Sequence, residues 1–544
     1  MDGQRARLNS DLGGALERLH AGAAGWARLA VQAKIRLLSQ CRARIGPNSE
    51  RWTAVASRIK AIGGSANEGE EAMTGPWGAL CAFDAYIATL KEIARYGEPR
   101  TDRRRVRMRA GGQLAVEVFP ADLRDRLLLG GVRAEVWMAP GIRQDELYLR
   151  IDAPGRVCLV LGAGNVTSIA LLDVLYKLVA ENSVCFLKVH ALLSPLTPVL
   201  QDVLAPLVDS GYLSVASGGA AEGAYLCEHP LVDAIHITGS AATYRSIAQS
   251  TAKPITSELG NVSPAIVLPG RWSERDIEFV AEQIVSAKLH NDGCNCIALQ
   301  VLVLSTQWPQ RAALLAAIAR LMRRADERPA YYPGSVQRFA SFAAGRGTVR
   351  SYGHSDAEHI APSIAEVDAA DVGEPLFREE VFCPLLAATA LEGDVPTYLR
   401  AAVRFCNDRV AGNLAANIFA DSVTMRQWAH EIEAAVAELR YGCVGVNVWS
   451  GVAFLLPALP WGGFSGNTPE RIGSGIGVVH NTRLFARPQK SVLYGPFRPF
   501  PRRLKPPWFV TQRHRAQIGE ALCRYQDRGS PFALARIAWL SLRG

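Results

Sequence analysis

The spacing of apolar residues changes in character along this chain. In residues 1–100 apolar positions recur every three or four residues, and this pattern predicts helices over residues 12–45 and 79–96. Residues 103–150 alternate between apolar and polar positions, which predicts strands at 116–119 and 134–137. The first 150 residues are therefore predicted to be helical and then strand-like.

From residue 151 onward, short apolar runs alternate with longer helical patterns. Strands are predicted at 156–161, 183–188, 213–216 and 234–237, with helices at 169–180 and 195–210. A second alternating region contains predicted strands at 265–268, 301–304 and 383–387. Strands that alternate with helices of this length favour a parallel sheet covered by helices on both faces. The predicted fold class is α/β.

A chain of 544 residues is too long for one simple core. Changes of pattern and two Gly-rich stretches predict five parts. These are residues 1–150, which are helical and then strand-like, residues 151–267, residues 268–465, a return segment at 466–500 and a basic extension at 501–544.

Composition narrows the class of protein. Apolar residues make up 49% of the chain and charged residues 20%, as in ordinary globular proteins. The N-terminus lacks an apolar signal core, so no secretory signal is expected. The 11 cysteines are scattered and odd in number, which favours a reducing cytoplasm. Cys294 and Cys296 have no second Cys/His pair at zinc-site spacing, so no metal site is predicted.

The net charge of +9 is concentrated in two places. Residues 501–544 carry nine Lys/Arg against two acids, and six arginines lie between Arg100 and Arg109. These basic clusters suggest binding to an acidic surface or to anionic lipid. The alternative is that they are solvated faces or contacts between subunits. Nucleic acid is not expected, because no recognition module accompanies the charge. The predicted helix at 532–542 could lie at a membrane surface, cap a substrate tunnel or pack on another subunit, and these alternatives stay open.

Two segments carry candidate chemistry. Cys296 lies in a turn rich in Gly and Asn, directly before the apolar stretch 299–304. A thiol at the edge of a buried strand is a candidate nucleophile, although free cysteines are more often inert core residues. Cys294 is equally eligible from its surroundings. Glu258, beside Gly260, is a candidate general base, with a surface or ion-paired carboxylate as the alternative.

Three further features suggest a dinucleotide site. Gly162 and Gly164 follow a predicted strand, as in a Rossmann fingerprint, but Thr167 stands where a third glycine is expected. Lys188 ends a strand, where a cation can reach ribose or phosphate. The turn Thr238-Gly239-Ser240 precedes a helix whose N-terminus can bind an anion, although Ser240 can equally be a simple helix cap.

Taken in order, these segments resemble the NAD(P)-dependent aldehyde dehydrogenase superfamily from about residue 150 to about residue 495. The matching stretches are 258–264 with E-L-G-G-K-S-P, 291–296 with N-x-G-Q-x-C, 379–384 with E-E-I-F-G-P, 238–240 with T-G-S and 461–465 with P-F-G-G. Residues 1–150 match only in general character, and the residues after Phe497 lie outside the resemblance.

The resemblance implies an α/β fold with a Rossmann-type cofactor-binding domain at 151–267 and an α/β catalytic domain at 268–465. Residues 1–150 would be associated with the cofactor domain or with oligomerisation, and the return segment 466–500 would hold an oligomerisation strand. The resemblance also implies a role for each site residue. Cys296 is the nucleophile, Glu258 the general base, and Asn165 an oxyanion donor together with the Cys296 backbone N–H. The implied contacts to NAD or NADP are Lys188, Thr238, Gly239, Ser240, Glu380 and Phe382. The implied reaction converts an aldehyde to a carboxylic acid through a cysteine thiohemiacetal and a thioester. It needs no metal, and the implied assembly is a homo-oligomer, a dimer or a tetramer.

The sequence departs from the family pattern at informative positions. Asn165 lacks the preceding Trp and the Pro two positions later, and Cys294 replaces a Gln. No Glu stands at the third position after Lys188, which would reduce repulsion of a 2′-phosphate and permit NADP. Phe454 and Leu455 suggest a hydrophobic aldehyde. The alternative functions are a CoA-linked acylating reaction and a non-catalytic, membrane-surface scaffold that binds the cofactor.

Overall fold

The computed structural model describes residues 2–151, 155–498 and 504–544, with side chains from residue 10 onward. The predicted domain boundary at 151 and the start of the basic extension adjoin residues outside these ranges. The chain begins with four helices: α1 (Asp2–Arg28), α2 (Val31–Ile59), α3 (Glu68–Ala72) and α4 (Gly78–Tyr96). A π-helical turn, Met73–Trp77, joins the last two.

The helix predicted over residues 12–45 is wrong in two places, because it is interrupted at Ala30 and continues beyond residue 45. Ala30 has extended backbone angles and separates α1 from α2, although the apolar spacing continues across it. Beyond residue 45, α2 continues through Pro47 to Ile59. A proline inside a helix costs one backbone hydrogen bond, and tertiary packing can override that cost.

The larger of the two main sheets has eleven strands in the order β1-β2-β3-β19-β15-β14-β9-β10-β13-β12-β11. Its strands are β1 (Val106–Met108), β2 (Leu114–Phe119), β3 (Arg133–Met138), β9 (Ser263–Val267), β10 (Leu299–Ser305), β11 (Val349–Ser351), β12 (Ser363–Glu366), β13 (Leu385–Leu391), β14 (Ala415–Phe419), β15 (Cys443–Val446) and β19 (Pro488–Tyr494). The strands of residues 103–150 join this sheet through β19, which pairs with β3 on one side and with β15 on the other.

The smaller sheet has six strands in the order β17-β8-β7-β4-β5-β6. Its strands are β4 (Val157–Leu161), β5 (Val184–Val189), β6 (Leu213–Ser217), β7 (Ala234–Gly239), β8 (Ile255–Leu259) and β17 (Gly475–Ile476). Strands β4 to β8 are parallel, as their alternation with helices predicted. The chain crosses to the larger sheet between Leu259 and Ser263. A separate two-stranded ribbon pairs β16 (Pro460–Trp461) with β18 (Val479–His480).

The remaining helices of the described residues lie between and after these strands. They are α5 (Leu123–Leu128), α6 (Ile169–Val179), α7 (Thr197–Asp209), α8 (Ala220–Glu228), α9 (Ala241–Ser250), α10 (Glu274–Leu289), α11 (Arg311–Met322), α12 (Ser335–Ala343), α13 (Pro375–Arg378), α14 (Val395–Arg409), α15 (Ser422–Gln427), α16 (Ala429–Glu438), α17 (Arg515–Arg528) and α18 (Pro531–Ser541). The stretch Ala191–Asp209 is long and apolar enough to cross a membrane by length and composition, but it packs on α2 and β6.

The basic extension packs on the N-terminal helices. Helix α17 lies against α3, where a side chain on Gly69 or on Gly519 would collide with the other helix. The buried Arg515 guanidinium binds Asn67 and pairs with Asp326 at 2.8 Å. The extension is therefore integrated into the core beside the π-helical turn.

Candidate active site

All nine site residues predicted from the sequence line one cavity of about 480 Å³. They lie at or just after the ends of strands β4, β5, β7 and β8 of the smaller sheet and in the loops before β10 and β13 of the larger sheet, so the structure brings them together across long separations in sequence. The nine are Asn165, Lys188, Thr238, Gly239, Ser240, Glu258, Cys296, Glu380 and Phe382. Gly162 and Gly164 line the same cavity.

The loop that carries Cys296 has an unusual backbone. Between α10 and β10, Asn291 (φ 58°), Asp292 (φ 56°) and Gly293 (φ 70°) are consecutive left-handed residues. Left-handed geometry costs roughly 1–2 kcal/mol for a residue with a side chain. Glycine is required at 293, because a Cβ there would lie 2.5 Å from the carbonyl oxygen of Cys383. The surrounding structure must therefore hold this loop in place.

The two thiols of the loop differ in access. Cys296 lines the cavity, whereas Cys294 is fully buried and its Sγ lies 3.4 Å from the carbonyl oxygen of Phe382. Burial, followed by the nearby carboxyl groups of Glu380 and Glu258, raises the pKa of the Cys296 thiol. Cys296 is thus the thiol that a ligand can reach, and it is protonated at rest.

Glu258 lies on β8, facing the same cavity. Burial raises the pKa of its carboxyl group well above the usual value, and the nearby Asp173 raises it further. Among the described residues, neither carboxylate oxygen of Glu258 has a hydrogen-bond partner. A buried carboxyl with a raised pKa suits a general base, because it can accept a proton near neutral pH.

Asn165 follows β4 and is held close to the nucleophile loop. Its side-chain Nδ2 donates to the carbonyl oxygen of Cys294 at 3.2 Å. A primary amide has two N–H donors, so one remains for an oxyanion.

The ends of the parallel strands form a cradle that fits a dinucleotide. Gly162 brings the turn close to α6, since a Cβ there would lie 2.7 Å from the Cβ of Ala170. Ser240 Oγ accepts from Thr243 N at 3.1 Å and caps α9, whose N-terminus adjoins the cavity. Lys188 ends β5 in the cavity wall, and burial lowers its pKa.

The opposite wall presents Glu380 and Phe382. Phe382 is also left-handed, with φ 48°. Gln300 clamps this loop, because its side chain accepts from Val381 N at 2.9 Å and donates to Glu379 O at 2.7 Å. Burial raises the pKa of the Glu380 carboxyl to about 7. A carboxylate held in this way can accept hydrogen bonds from ribose hydroxyls.

Several cavity residues were missed from the sequence. Asp173 was detectable, because it is a lone acid within the apolar helix α6. The others have no motif: they include Trp449, His480 and Trp508, which line the cavity with Phe454 and with Trp461 of the 461–465 match. Trp508 comes from the basic extension. Across residues 2–151, 155–498 and 504–544, no His, Cys, Asp or Glu side chains cluster in a metal-binding arrangement.

A half-buried thiol that lines the cavity, a buried carboxyl and an amide beside a dinucleotide cradle define the class of site. A model of the Aldehyde dehydrogenase family matches residues 152–480, more than half of the chain. The chain belongs to this family.

Curated relatives and solved structures agree with this. The chain is 30% identical over 260 residues to an aminoacetaldehyde dehydrogenase of Pseudomonas aeruginosa, covering 44% of this chain and 49% of the relative. It is 28% identical over 279 residues to aldehyde dehydrogenase family 3 member B1 of Mus musculus, covering 49% and 56%. The matches thus span about half the length of these relatives.

The solved structures show the same fold. The crystal structure of an NAD-dependent aldehyde dehydrogenase from Sinorhizobium meliloti superposes with a TM-score of 0.62 at 17% identity, covering 90% of this chain and 88% of that one. A gamma-glutamyl-gamma-aminobutyraldehyde dehydrogenase from Burkholderia cenocepacia gives 0.62 at 20% identity, covering 89% and 88%.

Proposed function

We propose that this protein oxidises an aldehyde to a carboxylic acid with NAD or NADP. The observation that carries the proposal is the shared cavity, in which Cys296, Glu258 and Asn165 lie beside the dinucleotide cradle. Lys188, Thr238, Gly239 and Ser240 would hold the adenosine and pyrophosphate end. Glu380 and Phe382 would hold the nicotinamide end.

The first half of the reaction acylates Cys296. Its thiol releases its proton to solvent water, and Sγ attacks the aldehyde carbon to form a thiohemiacetal. The remaining N–H of the Asn165 amide and the Cys296 backbone N–H stabilise the oxyanion. A bound NAD or NADP would supply the acceptor for the hydride of the thiohemiacetal carbon, and the acyl group would remain on Cys296 as a thioester.

The second half hydrolyses the thioester. Glu258 in its ionised form takes a proton from water, and the hydroxide attacks the acyl carbon. The C–S bond breaks, the carboxylic acid leaves, and the thiol is restored. A CoA-linked enzyme would transfer the acyl group to a second thiol without this base, so the position of Glu258 favours hydrolysis.

Product analysis tests the proposal and separates the alternatives. A panel of aldehydes is incubated with NAD and, separately, with NADP, in the presence and absence of CoA. We expect the free carboxylic acid to form without CoA, with one dinucleotide reduced per acid. Strict dependence on CoA would reject hydrolysis in favour of the acylating reaction. Binding of NAD or NADP without turnover of any aldehyde would favour the non-catalytic scaffold.

The substrate end of the cavity supports an apolar aldehyde. The rings of Phe454 and Trp461 lie 5.8 Å apart, and Phe454 also contacts His480 at 4.9 Å. Burial lowers the pKa of His480 to about 4, so this histidine is neutral at pH 7. Trp508, which belongs to the basic extension, also lines the cavity. Aromatic walls and a neutral imidazole favour a hydrophobic substrate.

Trp508→Ala is expected to change substrate preference. Removal of the indole enlarges the substrate end of the cavity, which we call the chamber. The ratio of kcat/KM for decanal over propanal should therefore rise about tenfold. Steady-state kinetics with the two aldehydes measure the ratio. Trp539→Ala is the matched control, because this tryptophan lies on α18 of the same extension and is 52% exposed. An unchanged ratio in Trp508→Ala would contradict a role in the chamber wall.

We also propose that the protein is cytoplasmic and associates peripherally with anionic membranes. The 11 cysteines are all free, which fits a reducing compartment. On α18, the exposed Phe532 and Trp539 recur at helical spacing with Arg536, and the guanidinium of Arg543, beyond the helix end, lies 4.1 Å from the Trp539 ring, a combination that suits a lipid interface. Because α17 is part of the core, the informative variant is Phe532→Ser/Trp539→Ser rather than a truncation. Its co-sedimentation with phosphatidylserine vesicles should fall below that of wild type, and equal binding would reject membrane contact.

We further propose a homo-oligomer, a dimer or a tetramer. Strand β1 lies at the edge of the eleven-stranded sheet, and Met108 on it is 68% exposed. An edge strand can pair with a second copy, although the neighbouring arginines oppose this. Sedimentation velocity measures the assembly, and a monomer at micromolar concentration would reject the proposal.

A further inference from the structure

A buried lysine from the N-terminal helices lies directly beneath the nucleophile loop. Lys60 follows the last residue of α2, and its side chain is 1% exposed. Its Nζ donates to Glu71 Oε1 at 2.5 Å, to the backbone oxygen of Asn165 at 2.8 Å and to Asn291 Oδ1 at 2.8 Å. All three ammonium hydrogens are therefore used, and two of them bind residues of the active site.

The Asn291 side chain connects Lys60 to the nucleophile loop by hydrogen bonds. With its Oδ1 facing Lys60, its Nδ2 donates to the backbone oxygen of Asn165 at 3.0 Å and to that of Cys294 at 2.8 Å. The Tyr331 hydroxyl donates to the same Oδ1 at 3.0 Å. Two donors on one oxygen fix the orientation of the amide, so the side chain joins the Asn165 segment to the loop of Cys296.

The backbone at Asn291 needs such support. Asn291 is the first of the three left-handed residues before the nucleophile. Its backbone N–H donates to Glu70 Oε2 at 2.9 Å, and Glu70 is paired with Arg328 at 3.1 Å. Lys60, Glu70 and Glu71 all lie before residue 152, where the family match begins. The strained nucleophile loop is thus stabilised by residues that lie outside the part of the chain matched by the family model.

We propose that Lys60 is a positioning residue for the proposed aldehyde oxidation, on which this inference rests. Its ammonium group orients Asn291 and the Asn165 backbone, and these set the oxyanion amide against the Cys296 thiol. Glu71 supplies the counter-charge that lets the ammonium group be buried. The alternative is an ion pair that only joins α2 to α3, with no effect on catalysis.

A paired substitution separates these two roles. Lys60→Met/Glu71→Leu removes both charges together, so that no lone charge remains buried. We expect its Tm to stay close to that of wild type and its kcat to fall about 100-fold, because a small displacement of reacting groups has an effect of that size. The KM for the aldehyde and the Kd for the dinucleotide should change little. Wild-type kcat in the folded double variant would overturn the proposal.

Lys34→Met is the matched control. Lys34 is a buried lysine on the same helix, and its Nζ donates to Asn182 Oδ1 at 2.6 Å, away from the nucleophile loop. This variant is expected to lose Tm but to keep the wild-type kcat. A loss of kcat comparable to that of the double variant would show that general damage to α2 is sufficient, and would overturn the specific role of Lys60.

Alkylation of Cys296 by iodoacetamide, followed by mass spectrometry, tests the position of the thiol without any aldehyde. Cys296→Ala supplies the background. The rate at which iodoacetamide alkylates Cys296 should change about tenfold in the double variant and stay unchanged in Lys34→Met. If wild type oxidises no aldehyde, the proposed function fails, while this rate still decides the positioning role.

A milder variant covers the case in which the double variant does not fold. Tyr331→Phe removes one donor from Asn291 Oδ1 and should shift kcat and the alkylation rate of Cys296 in the same direction by a smaller factor. Wild-type values of both quantities in Tyr331→Phe would then overturn the proposal.

Discussion

Cys296→Ala will abolish aldehyde oxidation, with kcat/KM lower by about 10⁴-fold or more, because the other thiol of the cavity wall, Cys227, is buried on α8 near Lys188, away from Asn165 and Glu258. Cys296 lines the cavity beside Asn165 and Glu258, and its Sγ is the nucleophile of the proposed reaction. Steady-state reduction of the dinucleotide measures the loss. Dinucleotide binding, followed by fluorescence, should remain and shows that the variant is folded.

Cys294→Ala is the matched control. Its thiol is two residues away but fully buried against the carbonyl oxygen of Phe382, and it does not line the cavity. Activity should stay within roughly threefold of wild type, as for a buried residue that only packs. Loss of activity in Cys294→Ala, with full activity in Cys296→Ala, would exchange the assignments of the two thiols.

Glu258→Gln will stop the reaction after the first half. Without a base for water the thioester accumulates, so kcat should fall about 10²–10⁴-fold. A burst of one reduced dinucleotide per active site should remain, and intact-protein mass spectrometry should show the acyl group on Cys296. Rapid-mixing absorbance at the reduced dinucleotide band measures the burst. Unchanged kcat would contradict the role of Glu258, and loss of the burst would show that it also deprotonates the thiol.

The pH profile gives an independent check on Glu258. Burial and Asp173 raise the pKa of its carboxyl group, and only the ionised form is a base. In wild type, kcat should therefore fall as the pH decreases through this raised pKa, at a pH well above the usual range of a glutamate. In Glu258→Gln the remaining activity should lack that dependence. If kcat falls in the same way with decreasing pH in both proteins, the fall is caused by another group, such as the Glu380 carboxyl.

Much of the fold was predictable because secondary structure depends on local periodicity. The alternation of apolar strands and helices after residue 151 predicted the parallel sheet, and β4, β5, β6 and β7 lie within two residues of the predicted strands. Errors occurred where local signals conflict with packing. At Pro47 the local sequence favours the end of a helix. Packing against α4 and α7 nevertheless stabilises α2 as far as Ile59.

The site was predictable where short motifs carry the chemistry. The motifs around Glu258, Cys296 and Glu380 occur in an order that identified the family, and all nine predicted residues line the cavity. Residues without a motif were missed. Trp508 and Lys60 reach the site from opposite ends of the chain, and nothing in their neighbouring sequence indicates a contact with it.

The sequence by itself determined the strand and helix pattern, the family and the residue types of the reaction, because these depend on neighbours along the chain. Only the tertiary structure decided which thiol faces the cavity, what holds the left-handed turn at Asn291, and that the basic extension contributes a wall of the chamber. Accessibility, burial and long-range hydrogen bonds are properties of atoms close in space. Lys60 and Asn291 are 231 residues apart in sequence, yet 2.8 Å separates their side chains.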